Sequence, residues 1–196
     1  VATSLNNLAE LLRLQGSYAE ARALYERALA IREKALGKDH PRVATTLHNL
    51  AVVLGTLGSS AEARPLYERA LAIDERALGT DHPDVARDLD NLAGLLDALG
   101  SYAEARPLYE RALAIREKAL HKDHPSVATS LNNLANLLAA QGSYAEARPL
   151  YERVPAIREK ALDKDHPDVA TSLNNLAGLL DSLGSYAEAR PLYERA

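Results

Sequence analysis

NLAELLRLQGSYAEARALYERALAI occupies residues 7–31. It returns with few changes at 49–73, 91–115 and 133–157, and starts again at 175, always 42 residues on. A fixed period of this size marks a repeat architecture, in which one supersecondary unit is stacked on copies of itself. Working outward from this stretch, the chain divides into units 1–42, 43–84, 85–126, 127–168 and a partial 169–196. Units one and four differ at only eight of 42 positions.

Two helices fit each unit. Leu5, Leu8, Ala9 and Leu12 recur at steps of three and four, giving helix A one apolar stripe from about Val1 to Leu14. Gly16 stops it, because glycine readily enters the left-handed conformation a helix end needs. Helix B follows from SYAE at 17–20 to about Leu36, with Ala21, Leu24, Tyr25, Ala28, Leu29 and Ile31 on its buried side. Ser17 and Glu20 have the spacing of a capping box, repeated at 59 and 62, 101 and 104, 143 and 146, and 185 and 188.

KDHP at 38–41 invites a chemical reading, with Asp39 orienting His40 as a base or the pair holding a metal. The same joint recurs at His82, His124 and His166. Successive joints are separated by two packed helices of about 8–10 Å spacing each. That is too far for one metal, whose bonds to histidine are about 2 Å. The motif therefore reads as a helix start, with Asp39 or His40 as cap and Pro41 in the first turn. His121, beside Asp123 and His124, reads as drift in an exposed loop rather than a metal site.

Asn7-Leu8-Ala9, Leu12, Gly16, Tyr18, Ala21, Tyr25 and Ala28 resemble the signature of the tetratricopeptide (TPR) repeat, a helix–turn–helix unit of about 34 residues. The longer 42-residue form is similar to the repeats of kinesin light chains. The resemblance covers the whole chain. It implies an all-α fold, a right-handed superhelical solenoid of stacked antiparallel helix pairs, and one array over residues 1–196. Stacking also follows from physics, since one helix pair cannot bury its own apolar face. In that family helices A line the concave side, which here means positions equivalent to Thr3, Asn6, Asn7, Glu10, Arg13 and Leu14.

Helix B is nearly invariant between units, whereas helix A varies at those positions. One slot reads Asn6, His48, Asp90, Asn132 and Asn174, and another Glu10, Val52, Gly94, Asn136 and Gly178. Asn7, Asn49, Asn91, Asn133 and Asn175 form an unchanging ladder. Amides offer both donors and an acceptor. Two readings stand for the ladder: pairing with the backbone of an extended peptide, or bonding within and between helices. The candidate groove is Asn6, Asn7, His48, Asn49, Asp90, Asn91, Asn132, Asn133, Asn136, Asn174 and Asn175. Its cations, Arg13 and Arg87, face Glu10, Asp88, Asp90, Asp97 and Asp181, which favours a neutral or basic peptide. The acidic peptides that the kinesin light chain resemblance implies suit it less.

Composition removes other classes. The 196 residues include no Cys, Met, Trp or Phe, so there is no thiol nucleophile, disulfide or thiolate zinc site. With net charge −4 and no basic face, nucleic acid is not an expected partner. No apolar run approaches a membrane span. There is no phosphate loop, GxGxxG, HExxH or visible triad, so the chain reads as non-catalytic, without cofactor or metal.

The expected function is a scaffold that binds protein or peptide in the cytoplasm. The alternative is a structural spacer or self-assembling array. The chain opens without Met inside one repeat and stops inside another, so it reads as a fragment whose uncapped ends can associate head to tail. Two local departures matter. Ser60 replaces a recurring Tyr, and Pro155 sits deep in a helix B, where a kink near Tyr151 is expected at about 3 kcal/mol.

Overall fold

The computed structural model describes all residues, 1–196. It is all α-helix, in ten elements. These are α1 (Ala2–Leu14), α2 (Tyr18–Leu36), α3 (Pro41–Thr56), α4 (Ser60–Leu78) and α5 (Pro83–Ala98). Then come α6 (Tyr102–Ala119), α7 (Pro125–Ala140), α8 (Tyr144–Ala161), α9 (Pro167–Ser182) and α10 (Tyr186–Arg195). Odd-numbered elements are helices A and even-numbered ones helices B, in consecutive antiparallel pairs. Two compact units form, Val1–Gly100 with α1–α5 and Ser101–Ala196 with α6–α10. Within each, every helix packs on the next, and in the first unit α3 also touches α1 and α5.

The turn between helices A and B is set by backbone, not by side chains. Gly16 takes φ +81°, and its N–H bonds the Arg13 carbonyl at 3.1 Å while the Ser17 N–H reaches Leu12 at 2.9 Å. This pair of bonds satisfies carbonyls that α1 would otherwise leave bare. It closes again at Ser59, Ser143 and Ser185. The expected capping box is not formed. Ser17, Ser59, Ser101, Ser143 and Ser185 stand at the helix starts but make no side-chain cap bond. The reason is geometric: the preceding turn holds Ser17 at φ −81°, ψ 60°, outside the extended conformation a capping hydroxyl requires.

The DHP joint does cap, through histidine. Nδ1 of His40, His82, His124 and His166 each accepts the N–H two residues on at 3.1 Å, and proline follows in the first turn. The aspartate has a separate task. Asp39 Oδ1 receives Arg76 at 2.9 Å and Asp123 Oδ2 receives Lys160 at 2.6 Å, tying the loop to the next helix B. Gly37 and Gly79, at positive φ, let α2 and α4 run to Leu36 and Leu78. His121 and Asp163 take that place in later repeats, and α6 and α8 stop one residue earlier, at Ala119 and Ala161.

The core sits where a helix A meets two helices B. Val43, Ala44 and Leu47 of α3 are buried with Ala70 and Ile73 of α4, and Leu29 of α2 packs against them. Each fully buried Leu or Ile is worth roughly 2 kcal/mol. Tyr25, Tyr67, Tyr109 and Tyr151 add large buried rings in a chain without Phe or Trp.

Pro155 leaves the Tyr151 carbonyl without its helical donor, yet α8 continues to Ala161, the same register at which α6 ends. The other repeats hold Leu29, Leu71 and Leu113 in this slot. Restoring the repeat sequence with Val154→Ala/Pro155→Leu is therefore expected to raise stability by about 3 kcal/mol. A urea titration checks this: the midpoint moves up at unchanged slope, and an unmoved midpoint would show that the ring costs the helix nothing.

Candidate functional site

The helix A face brings the expected residues onto α1, α3 and α5 in one unit and onto α7 and α9 in the other. Their environments differ sharply despite repeated letters. Asn6 is buried, and its Oδ1 has no hydrogen-bond partner. His48 is half-buried, with Nδ1 3.0 Å from Asp88 Oδ1 and its ring edge-on to Tyr67 at 5.7 Å. Asp90 and Asn132 are half-buried, whereas Asn174 is exposed.

The ladder is split. Asn175 Nδ2 donates to Asn132 Oδ1 at 3.0 Å, clipping α9 to α7. Asn91 Nδ2 donates to the Arg87 carbonyl of its own helix at 2.7 Å. Asn7, Asn49 and Asn133 carry no side-chain hydrogen bond. Bonding within or between helices thus holds for Asn91 and Asn175.

The variable slot after the ladder has a task its variation concealed. Tyr25 Oη donates to Glu10 Oε2 at 2.9 Å, and Tyr151 Oη to Asn136 Oδ1 at 2.6 Å. Where a polar residue fills the slot, it ties helix A to the tyrosine of helix B. The fixed 15-residue spacing of Glu10 to Tyr25 and Asn136 to Tyr151 was the available signal. Burial and the Glu10 contact push the Tyr25 phenol far up, and burial lifts Tyr151 to about 12, so both remain donors. Where the slot is Gly178, a pocket of about 330 Å³ opens between α7, α8 and α9, lined by Ala139, Tyr144, Tyr151, Asn174, Asn175 and Leu179.

Both cations of the face are already engaged. Glu10 grips Arg13 with two bonds, at 2.9 and 2.7 Å, and that grip holds the Glu10 carboxyl below its ordinary range. Arg87 is held by Asp84 at 3.0 Å and Asp88 at 3.3 Å. Asp88 itself is 1% exposed and belongs to the interior, a correction to its place among the groove charges. Burial raises the Asp97 carboxyl, and Asp181 is exposed. No group of three or more His, Asp or Glu is arranged to hold a metal ion.

The tetratricopeptide repeat family model matches residues 1–76, 56–118 and 119–196. The chain belongs to the tetratricopeptide repeat family. TPR repeats generally mediate protein binding and are typically non-catalytic. The chain is similar to a kinesin light chain-type protein of Podospora anserina with nearly identical TPR-like repeats. Identity is 34% over 98% of this chain and 92% of that one, with a TM-score of 0.85. BtubC (BKLC) from P. vanneervenii is 26% identical over 97% and 76% of the two chains, with a TM-score of 0.87. PilF of Pseudomonas aeruginosa shares the fold at 22% identity, covering 99% and 74%, with a TM-score of 0.73. No curated protein matches the sequence. No helix is long and apolar enough to cross a membrane.

The division of the ladder has a measurable consequence. Asn175→Ala breaks an inter-helix bond and is expected to cost about 1 kcal/mol. Asn133→Ala, whose amide is free, stays within about 0.5 kcal/mol of the parent. Parallel thermal melts compare them, and equal losses would overturn the division.

Proposed function

We propose that this chain is a non-catalytic scaffold that binds an extended peptide along the helix A face, each unit carrying its own stretch of groove. One observation carries the reading. Three rungs of the ladder, Asn7, Asn49 and Asn133, make no side-chain hydrogen bond, while Asn175 closes on Asn132. The free amides of Asn7, Asn49 and Asn133 are available to donate to peptide carbonyls and to accept from peptide N–H groups. The pocket opened by Gly178 suits one side chain of such a ligand.

With Arg13 and Arg87 already neutralised by carboxylates, neither is free for an acidic peptide. A neutral or basic peptide is the better match. Reading residues 1–196 as one functional array of 42-residue repeats belongs to the same proposal, as does an intracellular setting, supported by the absence of cysteine.

A peptide-display selection on the parent and on Asn49→Ala/Asn133→Ala tests the scaffold reading. The expected outcome is neutral or basic peptides enriched on the parent and lost from the variant, both folded by circular dichroism. Equal recovery from both would sink it.

A further inference from the structure

Two joints between helix B and the next helix A share one clip. Arg32 of α2 donates to Thr46 of α3 and to the Arg42 carbonyl, and Arg116 of α6 donates to Ser130 of α7. At the α4–α5 joint both members of the clip are acids, Asp74 and Asp88, at the same spacing in the chain. Neither reaches solvent freely: their side chains are 8% and 1% exposed. An isolated buried carboxylate is expensive, and two in contact are more so.

The surroundings balance only part of that charge. Oδ1 of Asp88 lies 3.0 Å from His48 Nδ1 on α3 and 3.3 Å from the Arg87 guanidinium on its own helix. Oδ2 of Asp88 is buried and receives no N–H or hydroxyl. Arg87 is also 3.7 Å from Asp74 Oδ2 and 3.0 Å from Asp84 Oδ1. One guanidinium therefore serves three carboxyl groups. The remaining titratable neighbour is Tyr67 of α4, whose phenol is lifted to about 12 by burial and by the charge of Asp88. It stays protonated and contributes no countercharge.

We propose that Asp74 and Asp88 hold one proton between them, making the α4–α5 joint a pH-sensitive contact that is closed in mild acid and loosens as Asp74 ionises. The carboxyl O–H of Asp74 is then the donor that Asp88 lacks, and it does the work that arginine does at the other joints. Asp74 is the member that keeps the proton. Burial, its bond to Asp88 and the charge of Asp88 push its carboxyl up to about 7, with Arg87 pulling the other way. Burial opposes the ionisation of Asp88 too, but the hydrogen bond and charge of His48, with Arg87, hold that carboxyl below its ordinary range.

The two groups act on stability with opposite signs. Between about pH 4 and pH 7 the folded chain retains a proton on Asp74 that the unfolded chain has released. Stability from this group therefore falls as pH rises through that window. The contribution of Asp88 is present above its unfolded pKa and is lost only when acid protonates it. The joint is tightest at the acid end of that window, near about pH 4, where Asp74 still holds its proton and Asp88 is ionised. The inference does not depend on the groove having a ligand.

Carbon-13 NMR of the aspartate Cγ atoms, with urea unfolding of the parent and of Asp74→Asn from about pH 5 to about pH 8, tests it. The amide of Asp74→Asn donates to Asp88 but cannot ionise. One carboxyl in the parent is expected to titrate near pH 7. The unfolding constant of the parent should rise toward neutral pH by up to about tenfold per unit relative to the variant, the limit for one proton released. Carboxyl midpoints all below about pH 5, or parallel pH profiles of parent and variant, would overturn the proposal. If Asp74→Asn does not fold, the carboxyl midpoint in the parent decides alone.

Discussion

A pair of short helices has two apolar faces and can turn only one of them inward. The other must find a surface outside the pair, and here that surface is the next copy of the same pair. Val43, Ala44 and Leu47 are buried because Leu29 approaches from the preceding helix B as Ala70 and Ile73 approach from the following one. Every other feature of the chain answers to this shared core. The glycine turn brings helix B back along helix A, and the DHP joint starts the next helix A where its stripe meets both neighbours. Side chains at the seam then decide how firmly each contact holds.

That seam tolerates more than one chemistry. An arginine buried against a hydroxyl satisfies the carbonyl and the Oγ beside it, though burial and the charge of Arg42 lower the proton affinity of Arg32. Replacing both partners by acids removes the donor and leaves two acceptors. The contact then needs a proton or a cation: Arg87 supplies the cation, and burial beside Asp88 raises the Asp74 carboxyl and so favours the proton. The substitutions at 48, 74 and 88 make physical sense as a set, because none of them satisfies its own hydrogen-bonding needs alone.

The helices were legible in the sequence almost to the residue, since apolar spacing and glycine fix Ala2–Leu14 and Tyr18–Leu36 with little help from elsewhere. A cap at the DHP joint was legible too, once its recurrence made catalysis implausible, but the choice between Asp39 and His40 was left to the structure, which takes His40. The serine caps were not, because the preceding turn had already committed the Ser17 backbone. The candidate site was legible as a face and not as a set of roles. Glu10 and Asn136 vary like unconstrained surface, yet each holds a tyrosine of helix B. Asp88 lies in a helix A rich in surface charge and is buried. Such assignments depend on what the neighbouring helix presents, which the local pattern does not contain.

The ladder of asparagines shows why repetition of letters is not repetition of function. An amide at this slot has three possible partners: its own helix, the preceding helix A, or something outside the chain. Asn91 takes the first, and the His48 ring that stands before it is already engaged by Asp88. Asn175 takes the second, because Asn132 offers it an acceptor. Asn7, Asn49 and Asn133 take neither. The same letter thus carries bonded and unbonded amides. A ligand meeting an unbonded one displaces no side-chain bond of that residue, whereas at Asn175 it must first break one.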